Sequence, residues 1–396
     1  MAGTDRGDLT RTAILALLGT VGPLSRSEMA RELDLSPATV TQLTKELIGH
    51  GMLEELDLKP SRGGRPAQRL GLVGSAGRAL GVKVTADHLV LVDVRLDGEV
   101  LGSWELPHDP AAPGALDHLA DAVESVVQEI SGVPPLLGVG VGVPGSVDDQ
   151  AVGTVNAPTL GWQAMPVGER LRRRLNLPVL VENDVNALAA AERLYGRGRT
   201  HRDFLVVTIG RGVGAAIVAD GRVYRGARGG AGEFGHLPVD PEGPPCGCGA
   251  RGCLEAFVGS AGLLAAARTK TTAEGLAALG RAAAGGDGGA REVFAEAGAI
   301  LGRATAGLIN VVDPEFVVVL GEGTADWPLW RIGFEPALRA QLYPGRRDIS
   351  VEVESWDDTS WAQGAAALVL ATPFDAAGAA GEQGRLVRAR LIGAAP

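Results

Sequence analysis

The chain has 396 residues, of which 45% are apolar and 21% are charged, a composition typical of a soluble globular protein with room for two or three domains. No apolar run approaches the ~20 residues that a membrane-spanning helix needs, and the first residues lack the apolar core of a secretory signal, so we expect a cytoplasmic protein. The net charge of −10 lies entirely in residues 73–396, because residues 1–72 carry nine basic and nine acidic side chains. An acidic body is repelled by nucleic acid and by anionic membranes, so any DNA binding must come from the N-terminal part.

The N-terminal segment predicts a helix-turn-helix. Ser25 and Glu28 form a capping box at the start of one short helix. Ser36, followed by a proline at the first helical position, begins a longer helix that ends before Gly51. These two helices are joined by a short turn and follow a first helix over residues 10–18, an arrangement that many DNA-binding proteins use.

The outward face of the longer helix predicts contacts with a DNA major groove. Its side chains are short and mostly polar, and such groups can approach phosphates and base edges. The predicted contacts of this helix are Ser36, Ala38, Thr39, Thr41, Gln42 and Lys45. On this pattern alone, a helical module that binds another protein is the alternative.

A basic hairpin tip follows this helix and favours DNA binding over the alternative. Residues 52–55 and 69–72 predict two strands, and the segment between them is rich in arginine and glycine. Arginine suits the negative potential of a narrow minor groove, and glycine permits a close approach to it. The predicted wing contacts are Arg62, Gly63, Gly64 and Arg65, which complete a winged helix-turn-helix.

Beyond the predicted wing, a pattern of strands and helices occurs twice. Residues 79–85, 88–94 and 99–104 predict three strands, and a helix then leads to a buried strand that ends at Val143. A similar set begins at Phe204 and has an Asp-Gly turn at the matching place. Two copies of an α/β unit predict two lobes, and the cleft between lobes is the usual place for a small ligand.

The three cysteines of the chain lie within eight residues and predict a metal site. Cys246, Cys248 and Cys253 follow a Gly-His pair that ends at His236. Three thiolates and one imidazole are a complete tetrahedral shell for zinc and leave no open position for a reactive water, so we expect one structural zinc ion per chain. The alternative is a disulfide with a spare thiol, which the odd number of cysteines and the lack of a secretory signal disfavour.

Several of these segments resemble the ROK family, whose members are repressors, open reading frames and sugar kinases. The segments that carry the resemblance are Gly232–His236 with the cysteine loop and Gly252–Glu255, Val181–Ala187, and Asn156–Pro158 with Gly161-Trp162. An N-terminal winged helix is typical of the family's repressor branch. The resemblance therefore implies an α/β protein in which a winged helix-turn-helix precedes a two-lobed, actin-like and ribonuclease-H-like sugar-kinase fold. The predicted domains are the DNA-binding domain 1–75, the first α/β lobe 76–195, the second α/β lobe with the zinc loop 196–374, and the C-terminal tail 375–396.

The resemblance also implies a sugar site. Carboxylates, amides and imidazole suit a pyranose because its hydroxyls both donate and accept hydrogen bonds. The implied sugar contacts are Asn156, Asn183, Asp184, Glu233, His236 and Glu255. His236 would give one ring nitrogen to zinc and the other to a sugar hydroxyl, so that the metal fixes the ring that reads the ligand.

Asp184 stands where the family's kinases have their catalytic base, but three nucleotide elements depart from the kinase pattern. The kinases have Asp-x-Gly-Gly-Thr after the first strand, where this chain has Lys83 and neither glycine. Arg211 replaces the usual threonine of the second glycine loop, and Glu322 adds a negative charge to the glycine pair after the later buried strand. Because phosphoryl transfer depends on a phosphate cradle, we expect no catalytic residue here and interpret Asp184 as a sugar ligand.

Together these observations predict a sugar-responsive DNA-binding transcriptional regulator of the repressor type that binds a sugar or sugar phosphate in the interlobe cleft without phosphorylating it. The expected partners are double-stranded operator DNA and the sugar effector, with no membrane partner, and the expected assembly is a homodimer or homotetramer. The alternative is an active ATP-dependent sugar kinase of the ROK type with an added DNA-binding domain. A third class is a zinc-stabilised scaffold that binds other proteins.

Overall fold

The structure of the protein, a computed structural model, describes residues 6–59, 67–130, 132, 134–354, 358–374, 380–391 and 393. The described residues divide into two units. The first unit holds those up to Thr200 and those from Asp358 onward, and the second holds those between them. The two units are described separately below.

The N-terminal segment of the first unit forms three helices and a small sheet, as the sequence predicts. Ser25 and Glu28 make the expected capping box, in which the Glu28 carboxylate lies 2.8 Å from the Ser25 backbone nitrogen. The Ser36 hydroxyl accepts the Thr39 N–H at 3.1 Å, and Gly51 follows the third helix with a φ of +70°. The elements are α1 (Arg6–Val21), β1 (Leu24–Ser25), α2 (Arg26–Glu32), α3 (Pro37–Gly49), β2 (Leu53–Lys59) and β3 (Ala67–Leu72).

The three strands pair antiparallel in the order β1-β3-β2. Strands β2 and β3 pair from Leu53 with Leu72 to Lys59 with Ala67, so they form the hairpin that the wing prediction requires. Apolar side chains of the helices and of β3 are buried in this segment, among them Ile14, Leu18, Met29, Val40, Leu47 and Leu70. The segment is a winged helix-turn-helix.

The first α/β lobe is built on a five-stranded sheet of order β11-β7-β4-β5-β6. Strands β4, β5 and β6 are antiparallel neighbours, whereas β7 and β11 run parallel to β4. The central strands are rich in valine and leucine because both faces of the sheet are covered. The elements are β4 (Arg78–Val84), β5 (His88–Arg95), β6 (Val100–Pro107), α4 (Ala115–Glu129), β7 (Leu136–Val143), β8 (Ser146–Val147), β9 (Thr154–Ala157), β10 (Trp162–Pro166), α5 (Val167–Leu175), β11 (Val179–Asn183) and α6 (Asp184–Tyr195).

The second unit contains a sheet of the same design. Its order is β14-β13-β12-β15-β16, with an antiparallel run of three strands followed by two parallel ones. This order matches β6-β5-β4-β7-β11 strand for strand, and it confirms that the α/β pattern occurs twice. The elements are β12 (Phe204–Ile209), β13 (Val213–Ala219), β14 (Arg222–Val223), α7 (Leu254–Val258), α8 (Ser260–Ala267), α9 (Leu276–Ala284), α10 (Gly288–Val312), β15 (Phe316–Leu320), α11 (Trp327–Gln341) and β16 (Ser350–Val353).

Helix α10 is the longest helix that the structure describes, with 25 residues. It packs against α11 through glycines, because a Cβ at Gly298 or Gly302 would meet a backbone oxygen of α11 at 2.2 Å or 2.4 Å. Across the described ranges, no helix has both the length and the apolar character that crossing a membrane requires.

After the second unit the chain returns to the first as α12 (Asp358–Leu370). This helix lies directly on the central strands, since a Cβ at Gly81 would lie 1.9 Å from the Ala362 carbonyl oxygen and one at Gly140 would lie 1.8 Å from that of Ala365. Its placement differs from the predicted second lobe of 196–374. The helix is apolar on most sides, and its sequence does not indicate which of two similar sheets it covers.

The C-terminal segment also differs from the patternless tail expected for residues 375–396. Gly381–Leu391 forms helix α13, in which Val387 and Leu391 are buried. The Arg390 guanidinium donates to the Leu136 carbonyl oxygen at 3.0 Å, which ties α13 to the first lobe. The segment is polar overall, so its sequence does not predict a buried helix. Its packing depends on residues far away along the chain, such as Leu136.

Candidate functional site

The outward face of α3 presents the predicted major-groove contacts. Thr39 is half-buried, and the other five predicted residues are exposed. Two of the polar groups already bond within the helix, because the Thr41 hydroxyl donates to the Pro37 carbonyl oxygen at 2.7 Å and the Gln42 amide donates to Glu46 at 3.2 Å. The face is therefore accessible and polar, with Lys45 as its one exposed cation among the described residues of α3.

Ion pairs hold the helices of this segment in place. The Arg11 guanidinium on α1 lies 2.7 Å from the Glu46 carboxylate on α3 and lowers the pKa of that carboxyl. The Arg26 guanidinium on α2 donates to the Thr44 hydroxyl at 3.0 Å and lies 3.2 Å from the Glu55 carboxylate on β2. Both contacts were missed in the sequence, where the charges appear as ordinary surface groups.

The predicted wing contacts Arg62, Gly63, Gly64 and Arg65 lie outside the described residues. The strands β2 and β3 lead up to them, and the last described pair of this hairpin is Lys59 with Ala67.

His236, Cys246, Cys248 and Cys253 come together in the second unit as the sequence predicts. One candidate donor atom from each of the four residues lies within 4.8 Å of the other three. Nδ1 of His236 is 3.6 Å from the Cys246 sulfur, and the sulfurs of Cys248 and Cys253 are 3.7 Å apart. The three cysteines are free thiols, so the predicted alternative of a disulfide is not what the structure contains.

Tight turns bring these donors together. Gly249 and Gly252 have φ values of +91° and +64°, and a Cβ at Gly252 would lie 1.5 Å from the Asp240 carbonyl oxygen. Only glycine fits such a turn without strain. Cys253 occupies the position just before the first residue of α7, and His236 ends a 3-10 helix, Phe234–His236.

The thiols differ in their electrostatic surroundings. Burial raises the pKa of Cys253 to about 12, whereas a hydrogen bond from the Ala250 backbone N–H lowers the pKa of Cys248. Several thiolates at this separation repel one another unless a cation lies between them. Because the set offers three sulfurs and one ring nitrogen, its chemistry fits a metal ion that prefers soft ligands.

Of the three predicted sugar contacts in the second unit, His236 belongs to this cluster, and Glu233 and Glu255 lie near His236. Glu233 has a carboxylate oxygen 3.8 Å from Nε2 of His236, the ring nitrogen that faces away from Cys246. A Cβ at Gly235 would lie 3.4 Å from Cβ of Glu255, so Glu255 packs against the same short segment. Oε2 of Glu255 accepts the Val213 N–H at 3.1 Å, which fixes the direction of that carboxylate.

The other three predicted sugar contacts lie in the first unit. The Asn183 amide nitrogen donates to the Gly145 carbonyl oxygen at 2.9 Å, and its amide oxygen caps α6. The amide oxygen of Asn156, an exposed residue, accepts the Ala164 N–H at 2.9 Å. Both asparagines meet at Gly145, because a Cβ there would lie 2.3 Å from the Asn156 carbonyl oxygen. The sequence did not indicate that Gly145 brings the segments of Asn156 and Asn183 together.

Asp184 forms a buried ion pair with Lys83. The Lys83 ammonium donates to Oδ2 of Asp184, and Oδ1 accepts the Val185 N–H at 2.9 Å. The two side chains are only 10% and 13% exposed, and the ammonium lies 4.5 Å from the centre of the Trp361 ring. Lys83, one of the residues predicted to depart from the kinase pattern, is therefore the direct partner of Asp184, the predicted sugar ligand.

Protein-family models match two parts of the chain. One described as the ROK family matches residues 79–372, and one described as the MarR family matches residues 8–59. Similar proteins include a putative xylose repressor of Caldicellulosiruptor sp. (strain Rt8B.4), which is 30% identical over 371 residues that cover 88% of this chain and 92% of that protein. The DNA-binding transcriptional dual regulator NagC of Escherichia coli (strain K12) is 29% identical over 376 residues, which cover 91% of this chain and 92% of NagC.

Solved structures of the same fold include both regulators and kinases. A ROK family transcriptional regulator, a homolog of the E. coli MLC protein, has a TM-score of 0.82 at 26% identity, over 98% of this chain and 99% of its own. A ROK family glucokinase from Streptomyces griseus, in complex with glucose and AMPPNP, has a TM-score of 0.65 at 29% identity, over 74% of this chain and 99% of its own. The mixed α/β fold is thus that of the actin-like sugar kinases, preceded by a MarR-type winged helix, and the chain belongs to the ROK family.

Proposed function

We propose that this protein is a sugar-responsive transcriptional repressor. The observation that carries the proposal is that one chain contains both a winged helix and a ROK domain. A solved ROK regulator matches 98% of this chain, whereas a ROK glucokinase matches 74% of it. Relatives that cover about nine-tenths of the chain carry the names of a xylose repressor and of a DNA-binding regulator. A regulator of this kind acts on the chromosome, so its place of action is the cytoplasm.

The DNA side of the proposal rests on the winged helix. The exposed face of α3 would enter a major groove, and Arg62 and Arg65 of the wing would reach the neighbouring minor groove. An operator with two half-sites would bind a homodimer or homotetramer, whose symmetry sets the half-site spacing.

The effector side of the proposal rests on six polar residues. They are Asn156, Asn183 and Asp184 of the first unit and Glu233, His236 and Glu255 of the second. A sugar or sugar phosphate is the ligand class that their amides, carboxylates and imidazole suit. The ligand changes DNA affinity only if it binds two arrangements of the protein with different affinity.

The cysteine cluster would hold one structural zinc ion. His236, Cys246, Cys248 and Cys253 are a complete tetrahedral set, and zinc in such a set closes the loop without taking part in a reaction. His236 would bind the metal through Nδ1, which lies 3.6 Å from the Cys246 sulfur, and would keep Nε2 for the side where Glu233 lies. The zinc ion would thereby fix the orientation of the His236 ring toward the sugar.

We further propose that the protein is not an active kinase. Asp184, at the position of the kinases' base, bonds to Lys83, and the nucleotide loops carry Arg211 and Glu322 where the kinase pattern has uncharged residues. The second candidate, a sugar kinase with a DNA-binding domain, is favoured by the glucokinase structure. Sugar-dependent ATP hydrolysis that disappears in Asp184→Asn would support this candidate and contradict ours.

The wing test addresses DNA binding. Fragments of the source genome are enriched on the full-length protein, and the affinity for the enriched fragment is measured at several salt concentrations. Because each phosphate contact adds about one to the slope of log K against log salt, Arg62→Ala with Arg65→Ala should weaken binding and reduce that slope. Failure to enrich any fragment, with no thermal shift from a panel of sugars, would leave the third class, a zinc-stabilised scaffold.

A further inference from the structure

The glycine loop between β12 and β13 binds a carboxylate of the protein itself, that of Glu322. The backbone N–H of Arg211 donates to Oε1 of Glu322 at 2.7 Å. The same carboxyl group lies against Gly210, where an added Cβ would meet it at 2.2 Å. Glycine loops with outward N–H groups are places where proteins bind phosphate. In this loop a carboxylate takes that position.

The backbone around Glu322 is shaped to bring the carboxylate there. Gly321 has a φ of +99°, and a Cβ at Gly321 or Gly323 would lie 2.5 Å or 2.9 Å from the Ile209 carbonyl oxygen. Glycine at both positions therefore lets the turn approach the end of β12. The Thr324 hydroxyl donates to the Gly321 carbonyl oxygen at 2.7 Å, which holds the turn. The side chain between the two glycines is thus placed beside the loop by its own backbone.

The rest of the loop is also bonded within the unit. A second carboxylate, that of Glu255, accepts the Val213 N–H at 3.1 Å. The Gly210 carbonyl oxygen accepts both the backbone N–H and the hydroxyl of Ser260, at 3.0 Å and 2.8 Å. A nucleotide phosphate that approached this loop would meet two negative charges and two backbone N–H groups, those of Arg211 and Val213, that are already engaged.

We propose that Glu322 masks a phosphate-binding loop and thereby determines that the protein does not bind nucleotides. The ligand class that the unmasked loop would take is a diphosphate or triphosphate. An internal carboxylate competes strongly because it is tethered beside the N–H and loses little freedom when it binds. The inference deepens the proposed lack of kinase activity, and it rests on that proposal in taking residues 210–214 as a nucleotide element.

The test measures binding of magnesium–AMPPNP and of inorganic pyrophosphate to the full-length protein by calorimetry. Glu322→Ala frees the Arg211 N–H and removes one charge, so we expect it to bind both probes at least about tenfold more tightly than the unchanged protein. Glu322→Gln keeps an acceptor but loses the charge, so its gain should be smaller. Near-ultraviolet circular dichroism establishes that each variant is folded.

Glu315→Ala is the matched control. Oε1 of Glu315 also accepts backbone N–H groups, those of Arg202 and Asp203 at 2.8 Å and 3.1 Å, but these precede β12 whereas Gly210 follows it. We expect no gain from this variant. A folded Glu322→Ala without a gain, an equal gain in Glu315→Ala, or tight binding by the unchanged protein would each overturn the masking role. The DNA and sugar measurements decide the proposed function separately, whatever the phosphate probes show.

Discussion

At the scale of single residues, the ion pair of Lys83 and Asp184 is the feature on which the candidate site depends most. Both charges are removed from water, and such a cost is offset only while the partners remain together with their hydrogen bonds. The Trp361 ring adds a cation–π contact to the ammonium. Lysine therefore holds Asp184 in one position and occupies one of its carboxylate oxygens.

Lys83→Met tests this account through stability. The buried carboxylate loses its partner, so we expect the free energy of unfolding to fall by about 3 kcal/mol, measured by urea denaturation. Adding Asp184→Asn to the same protein should recover part of the loss, because the unpaired charge is then gone.

The matched control is Arg173→Met in the same unit. Its exposed pair with Glu169 has side chains 65% and 62% exposed, so its loss should cost less than about 1 kcal/mol. Equal losses in Lys83→Met and Arg173→Met would contradict the account of a buried pair.

The cysteine cluster makes a second prediction at this scale. His236→Ala removes one of four donors, so we expect the purified protein to fall from about one zinc per chain to well below it, measured by elemental analysis. Zinc should also be lost as the pH falls, because the ligands must be deprotonated to bind. His118→Ala, which changes an exposed histidine of α4, should keep its metal, and a full complement of zinc in His236→Ala would exclude this residue as a ligand.

At the scale of elements, glycines in the strands decide where α12 packs. Gly81 and Gly140 are paired neighbours on β4 and β7, and both allow the backbone of α12 to come within contact of the sheet. An alternation of glycine with valine looks like an ordinary buried strand, and its role becomes apparent only once the helix that covers it is known.

Gly140→Ala tests this packing. Its Cβ would lie 1.8 Å from the Ala365 carbonyl oxygen, so α12 must shift, and we expect a loss of roughly 1–3 kcal/mol in thermal or urea unfolding. Gly307→Ala lies in α10 with open space around the new Cβ and should instead be neutral or raise stability by up to about 1 kcal/mol. Unchanged stability in Gly140→Ala would mean that the helix does not lie where we place it.

The features that the sequence predicted correctly are those determined by residues close together along the chain. The capping box at Ser25, the cap at Ser36 and the cysteine loop are set by residues within a few positions of one another. The bonds from Lys83 to Asp184 and from Arg211 to Glu322 join residues 101 and 111 positions apart, so no local pattern could reveal them. Those two contacts involve Lys83, Arg211 and Glu322, the residues on which our proposal that the protein is not an active kinase rests.

At the scale of the whole molecule, one helix of the first unit links a predicted sugar contact to the DNA-binding segment. Helix α6 begins at Asp184 and is capped by Asn183, and it makes a small contact with α1 of the winged helix. A short 3-10 helix after α6 continues this contact, since a Cβ at Gly22 would lie 3.7 Å from the Arg199 guanidinium. A ligand that shifts α6 would therefore act on the winged helix through packed elements.

The response of DNA binding to sugar tests the central claim most directly. The affinity of the full-length protein for its enriched operator fragment is measured by fluorescence anisotropy, with and without each sugar and sugar phosphate of a panel. We predict that at least one ligand changes the affinity by about fivefold or more. We also predict that Glu233→Ala, which lies outside the winged helix, abolishes the change while DNA affinity without ligand stays the same. An operator affinity that no sugar alters, or a response that persists in Glu233→Ala, would contradict the account.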